Sequence, residues 1–151
     1  MKQIHSALLK AKRHLILAAL IALAVLWARR RLRQSDPATL CGEAKSYRQA
    51  AMILYRANLT LLGCLGQSPS GGETPEAFAG RVAAQLKNPD YAAFTRAVSN
   101  ASYGKRALRR EDIDAGLRAY EGFKGMLGLR EKIRFTLTRL RRGLGDFESI
   151  P

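Results

Sequence analysis

The chain is 151 residues long, which suits one small domain with an additional segment. It carries 26 Lys and Arg residues against 12 Asp and Glu residues, a formal net charge of +14. Much of the excess flanks one apolar stretch with no acid nearby, so a nucleic-acid partner is not needed to explain it. The flanking cations are Lys2, Lys10, Lys12, Arg13, Arg29, Arg30, Arg31 and Arg33.

The apolar stretch at 14–28, HLILAALIALAVLWA, contains no formally charged residue and predicts a single transmembrane helix. As a helix it would be about 22 Å long, short of the ~30 Å hydrocarbon core. Snorkelling of the flanking cations and local thinning of the bilayer could cover the difference. The expected membrane-flanking residues are Lys10, Lys12, Arg13, Trp27, Arg29, Arg30, Arg31 and Arg33.

Three alternatives compete with a membrane span. A buried soluble helix is disfavoured because the stretch is apolar on every face and a small domain has little room around it. A cleaved signal peptide is disfavoured because Leu26 stands where a small residue is wanted, and four arginines follow. A helix lying in the membrane interface needs a polar face, which this stretch lacks. The denser basic cluster behind the stretch predicts a single-pass protein of the inner membrane with its domain in the cytoplasm.

The rest of the chain predicts an all-α fold, since no strand pattern of period two stands out. A basic N-terminal segment at 1–13 precedes the predicted span. A basic juxtamembrane linker at 29–36 follows the span and leads to a small bundle of about four helices at 37–145. Residues 146–151 have the character of a frayed tail.

The first helix of the bundle is predicted to start at Ser35-Asp36-Pro37, where a capping side chain precedes a proline. It should run to about Leu65, where GQSPSGG at 66–72 predicts a flexible loop. Residues at three- and four-residue steps would form its packed side: Leu40, Ala44, Tyr47, Ala51, Leu54, Tyr55, Asn58, Leu61, Leu62 and Leu65.

The second and third helices begin with cap and proline signals. Thr74 would cap the second, with Pro75 in its first turn, and Asn88-Pro89-Asp90 would start the third. Gly104 suits the end of the third helix. Their inward residues should be Phe78, Val82 and Leu86 in the second, and Tyr91, Phe94, Val98 and Ala101 in the third.

The fourth helix should open at Glu111-Asp112 and reach Arg142, and Gly128 marks a point at which it could break. Gly122, Gly125 and Gly128 recur at every third residue, which favours close helix approach or a loosened helix over a phosphate-binding loop. The inward residues should be Ile113, Leu117, Tyr120, Met126 and Leu127.

Two short motifs resemble a known family. The run ETPEAFA at 73–79 is similar to that family's ETP…EFA helix start, and Tyr103-Gly104, Leu108 and Glu111-Asp112 resemble its junction before the last helix. The family is a bacterial domain of unknown function, found as the cytoplasmic C-terminal tail of transglutaminase-like membrane proteins. The resemblance implies a helical fold over about 40–128, but no reaction, because this chain has no room for the catalytic domain of the larger relatives. The motif residues are Glu73, Thr74, Pro75, Phe78, Tyr103 and Leu108.

The candidate catalytic groups are few. Cys41 and Cys64 would lie roughly 34 Å apart on one helix, which excludes a disulfide, and both are expected to be small buried residues. No histidine follows His14, so neither thiol has an imidazole base. The acidic cluster at 111–114 is expected to complement a helix N-terminus. We therefore expect no catalytic, metal or cofactor site and a non-enzymatic protein.

The segment 130–142 is strongly basic, with Ile133, Leu137 and Leu140 interleaved. A solvated helix face is the ordinary interpretation, and contact with anionic lipid headgroups is the alternative. The leading functional hypothesis is a membrane-anchored module that binds another membrane protein, transglutaminase-like or similar, with an anionic-lipid-binding module as the alternative. The residues expected to face lipid are Arg130, Lys132, Arg134, Arg139, Arg141 and Arg142.

Overall fold

The computed structural model describes the backbone of residues 2–142 and the side chains of residues 12–141. Over that range the chain is all-helical, with seven α-helices and no strand. It divides into two compact units, residues 1–34 and residues 35–151. The tail at 146–151 lies outside the described residues.

The first unit is a single helix, α1 (Lys2–Gln34). No helix in the described part of the chain is long and apolar enough to cross a membrane. The predicted transmembrane helix at 14–28 is therefore wrong, and so is the single-pass inner-membrane location with a cytoplasmic domain that depended on it. The physical reason is length: the uncharged run is about 22 Å long against a ~30 Å hydrocarbon core, and Arg13 and Arg29 stand at its two ends.

The apolar side chains of α1 are exposed, including Trp27 at 63%. The cations that were expected to flank a span are exposed as well, except that the side chain of Lys10 lies outside the described residues. The other large apolar residues are 51–72% exposed: Leu15, Ile16, Leu17, Leu20, Ile21, Leu23, Val25 and Leu26.

The second unit contains six described helices where the sequence predicted about four. They are α2 (Pro37–Glu43), α3 (Tyr47–Cys64), α4 (Pro75–Gln85), α5 (Pro89–Ser102), α6 (Arg110–Met126) and α7 (Leu129–Arg142). The difference arises because the first and the last predicted helices are each divided in two.

The predicted long helix from Pro37 to Leu65 breaks between α2 and α3. Ala44 has extended backbone angles, and Ser46 caps α3 by accepting a hydrogen bond from Gln49 N at 3.2 Å. The Gln49 side chain in turn accepts a hydrogen bond from Lys45 N at 2.9 Å. This reciprocal arrangement resembles a capping box and satisfies backbone donors at a new helix start.

The predicted last helix ends at Met126, and α7 begins at Leu129. Leu127 has extended backbone angles and is only 5% exposed, so the break turns an apolar side chain into the core. Met126, which was expected to face inward, is instead 45% exposed.

The predicted starts of α4 and α5 agree with the structure, but the two caps differ. Thr74 accepts a hydrogen bond from Ala77 N at 3.2 Å, as an N-cap residue does. The side chain of Asn88 makes no capping bond. Instead it donates to Ala119 O on α6 at 3.0 Å, so this residue connects two helices.

The core consists of two clusters that meet α6 at different levels. In the first cluster, Tyr91 on α5 makes edge-to-face contacts with Phe78 on α4 and Phe123 on α6, at centroid distances of 6.4 and 5.3 Å. The second cluster centres on Leu54 of α3 and Phe94 of α5. Helices α3, α5 and α6 each contribute to both clusters, so these three helices form the centre of the unit.

Helices α3, α5 and α6 approach most closely at Gly116. A Cβ atom at this position would lie 2.8 Å from the Phe94 ring and 3.1 Å from Leu54 Cδ1. The buried Asn58 amide donates to Gly116 O at 3.3 Å and to Leu54 O at 3.0 Å. A larger residue at 116 would push these helices apart, whereas Gly125 has no neighbour within 4 Å of such an atom.

We predict opposite effects for Ala at these two glycines. Gly116→Ala should lower the free energy of unfolding by about 1–2 kcal/mol, because overpacking costs about 1–3 kcal/mol and helix propensity returns at most ~1 kcal/mol. Gly125→Ala should be neutral or stabilising by up to ~1 kcal/mol. Urea unfolding followed by circular dichroism measures both. Equal stabilisation by the two variants would show that Gly116 is not a close-packing position.

Candidate interaction surface

Helix α7 packs against the other helices of the second unit through Phe135, which is 5% exposed. The Phe135 ring lies 6.4 Å from the Tyr120 ring on α6, centroid to centroid. Arg139 lies on the same side of α7, with its guanidinium 5.6 Å from the centre of the Phe135 ring. The Arg139 side chain is only 12% exposed and lies 3.8 Å from an Asp36 carboxylate oxygen. One aromatic side chain and one largely buried cation therefore mark the inner side of α7.

Three apolar side chains of α7 point the other way, whereas Leu140 is half-buried. Leu129, Ile133 and Leu137 are 78%, 53% and 60% exposed. At about 100° per residue they occupy an arc of about 80°, whose centre is about 160° from the direction of Phe135. Amphipathic helices normally turn such a row toward the core. Helix α7 does the opposite and presents the row to solvent.

Exposed cations lie on both sides of this apolar row. Arg130, Arg134 and Arg141 lie along one border, judged by the helical spacing. Lys132 lies on the other side, where Thr136 separates it from the row and Arg139 is about 20° away around the helix. The only acid of α7 is Glu131, which is half-exposed and lies toward the packed side. We call this surface the α7 outer face; its members are Leu129, Ile133, Leu137, Arg130, Lys132, Arg134 and Arg141.

The structure brings together four of the six cations that the sequence assigned to lipid contact. Arg139 instead lies on the packed side against Phe135, and the side chain of Arg142 lies outside the described residues. The sequence also showed the four-residue spacing of the apolar row. It did not reveal that the row faces outward, because the same spacing ordinarily marks the core side of a helix.

The residues of the family-like motif serve local structure. Phe78 belongs to the first core cluster and Leu108 packs against the second. Pro75 stands in the first turn of α4 behind its cap, Thr74. Tyr103 is 79% exposed at the end of α5. These positions therefore do not form one common site.

Glu73 holds the loop before α4 through Arg81. The Arg81 guanidinium donates to both Glu73 carboxylate oxygens, at 3.0 and 2.9 Å, and to Ser68 O at 3.0 Å. Ser70 N also donates to Glu73, at 2.9 Å. The hydrogen bonds from Arg81, and then the one from Ser70, lower the pKa of Glu73 to about 2. The carboxylate therefore fixes a segment that the sequence predicted to be flexible.

The two thiols are poorly suited to nucleophilic chemistry. Burial, with a smaller contribution from Asp36, raises the pKa of Cys41 to about 11, and its Sγ donates to Ala50 O at 3.6 Å. Burial also raises the pKa of Cys64. Both thiols are half-buried and stay protonated near neutral pH, so little thiolate is available for attack.

A shallow groove of about 740 Å³ opens beside Cys41, between α2, α3 and α6. Ile113 and Leu117 line its apolar part, and Lys45, Arg110 and Asp114 contribute charge. No histidine lines it. Among the described residues, no group of three or more His, Cys, Asp or Glu side chains could hold a metal ion.

No protein-family model, curated protein or solved structure matches the chain. The resemblance at 73–79 therefore stays a prediction. Within the second unit, the α7 outer face is an unusual surface feature, because it presents an apolar row to solvent.

We predict that the two sides of α7 respond differently to truncation. Phe135→Ala should cost about 3–5 kcal/mol of unfolding free energy, because it removes a buried ring. Ile133→Ala, two positions earlier, should change stability by about 0.5 kcal/mol or less, because that side chain is exposed. Urea unfolding of the two single variants measures this. A comparable loss in both would contradict the packing of α7 through the Phe135 side alone.

We also predict an acid-dependent contribution from Glu73. Folding lowers the pKa of Glu73 from 4.5 to about 2. Its contribution to the free energy of unfolding is therefore fully present above about pH 4.5 and disappears as the pH falls toward 2. The protein loses stability as the pH falls between these values, and Glu73→Gln should make this loss smaller. Thermal unfolding across this range measures it, with Glu76→Gln as the exposed control. An unchanged pH profile in Glu73→Gln would contradict the pairing with Arg81.

Proposed function

We propose that this chain is a non-enzymatic helical module that binds another protein through the α7 outer face. The observation that carries the proposal is the outward direction of Leu129, Ile133 and Leu137 on a helix whose opposite side is packed. Apolar patches bordered by polar residues on small proteins commonly mark interaction sites. Covering one such side chain completely contributes about 1.5–3 kcal/mol, so three of them can support a specific complex.

A non-enzymatic role is supported by the state of the candidate nucleophiles. Both thiols have raised pKa values. The hydroxyls of Tyr91 and Tyr120 are buried, and burial raises the pKa of Tyr120 to about 12 and that of Tyr91 as well. None of these groups is set to exchange a proton near neutral pH.

A helical protein partner accounts for the shape of the apolar row better than a lipid surface does. Helices that lie in a membrane interface carry a broad apolar face, often with Trp or Phe. The row on α7 covers an arc of only about 80° and contains no aromatic residue. A narrow row with four-residue spacing forms the kind of ridge that fits between side chains of a second helix.

Binding to anionic lipid headgroups is the second candidate. The bordering cations Arg130, Lys132, Arg134 and Arg141 favour it, since each basic residue near an anionic surface contributes about 1 kcal/mol. A transglutaminase-like partner stays a prediction that depends only on the resemblance at 73–79 and 103–112.

The test is site-specific photo-crosslinking of the full chain in the cells that produce it. We expect a photoreactive residue at Leu137 to give one discrete protein adduct, and the same residue at Arg96, exposed on α5, to give none. Ile133→Glu should abolish the adduct from position 137 without lowering the melting temperature, because residue 133 is exposed. The adduct is then identified, and the purified pair must bind each other in vitro.

Two results would count against this function. One is an adduct that forms as readily from position 96 as from position 137. The other is the absence of any protein adduct from position 137, combined with binding of the chain to vesicles containing phosphatidylglycerol. The second result would favour lipid binding instead.

A further inference from the structure

We infer that the partner presents an amphipathic helix whose apolar row is bordered by Asp and Glu residues. This inference depends on the proposed function and specifies the chemistry of its partner. It is drawn from the charges around the apolar row, which are all of one sign among the described side chains of the outer face.

The dimensions of the outer face match a short helical segment. Leu129 and Leu137 are eight positions apart, about 12 Å along the helix axis, or a little over two turns. A partner segment of about three turns would cover this length. The cations extend from Arg130 to Arg141, about 16 Å, so they begin inside the apolar row and reach beyond its C-terminal end, and they can contact residues along the whole of such a segment.

The bordering cations select the sign of the partner's charge. Arg130 and Arg134 are four residues apart on one side of the row, which places their side chains next to each other on the helix surface. Guanidinium groups pair with carboxylates through two parallel hydrogen bonds, whereas a basic partner would bring like charges together at the rim. Such rim charges determine specificity and association rate more than total affinity.

A second copy of this chain is a poor partner for the α7 outer face. Pairing two α7 outer faces about a two-fold axis would place cations of one copy against cations of the other. Like charges would therefore meet at the rim of such a pair, so we take the partner to be a different protein.

The experiment measures binding of fluorescent synthetic peptides to the full chain by anisotropy. The first peptide is a three-turn amphipathic helix with leucines at four-residue spacing bordered by glutamates. The second has every glutamate replaced by lysine, and the third keeps the glutamates but has serine in place of leucine. We expect both altered peptides to bind about ten-fold more weakly or worse, and raising the salt to about 0.5 M to weaken the first peptide.

Charge reversal on the protein provides the matched variants. Arg134→Glu should weaken the glutamate peptide and strengthen the lysine peptide, whereas Arg96→Glu on α5 should change neither. This exchange of preference cannot result from misfolding, because a misfolded chain would bind neither peptide. Circular dichroism of each variant provides a second check.

The inference is overturned if the glutamate and lysine peptides bind equally, if neither binds, or if Arg134→Glu does not shift the preference. Phosphatidylglycerol vesicles that bind through the same side chains, while the glutamate peptide does not, would also overturn it in favour of lipid. In each case an adduct from Leu137 in the crosslinking experiment would still support a protein partner of other chemistry. Loss of both the peptide binding and that adduct would remove the proposed function as well.

Discussion

The close approach of α3, α5 and α6 at Gly116 is the contact on which the second unit depends. The absence of a side chain there lets the Phe94 ring and Leu54 reach the backbone of α6, and the Asn58 amide joins the same backbone by a hydrogen bond. With α6 fixed in this way, its Tyr120 and Phe123 contact different neighbouring helices. Phe123 meets Tyr91 on α5, and Tyr120 meets Phe135 on α7. The position of the outer face therefore follows from packing at a residue in a different helix.

The composition of α7 explains why it can carry an interaction surface at little cost in stability. Its inner contact relies on one large ring, Phe135, and on Arg139, whose guanidinium covers that ring and approaches Asp36. An arginine can bury its aliphatic stem and place its guanidinium over an aromatic ring while its charge stays near a carboxylate. Leu129, Ile133 and Leu137 are 53–78% exposed, so they contribute less to the packing of the unit than Phe135 does and are available to the partner that we propose.

Several elements could be predicted from local signals in the sequence. The starts of α4 and α5 follow from a capping residue or a proline at the first turn, because these signals act over only a few residues. The break before α3 was missed, although Ser46 and Gln49 provide its signal, because the apolar spacing continues across it. Asn88 was predicted to be a cap and instead holds α6, which depends on a residue more than thirty positions away. Local sequence cannot reveal such a contact.

The errors in the functional prediction have a related cause. The apolar run in α1 was expected to span a membrane with the help of snorkelling cations and bilayer thinning, but the distance between Arg13 and Arg29 leaves it too short. For the candidate site, the cations of α7 were predicted individually. The outward apolar row was not, because periodicity tells which residues share a face and not which face meets the core. Only the position of Phe135 against Tyr120 decides that question.

The attachment of α7 through Phe135 and Arg139 has a consequence for the dynamics of the molecule. A helix held by so few buried groups can separate from its neighbours in a sub-global opening while the rest of the unit stays folded. Such an opening would uncover Tyr120 and Leu127, which belong to the first core cluster. A protein bound to the other side of α7 would restrain this opening, so that occupancy of the surface and protection of the core from solvent become thermodynamically linked.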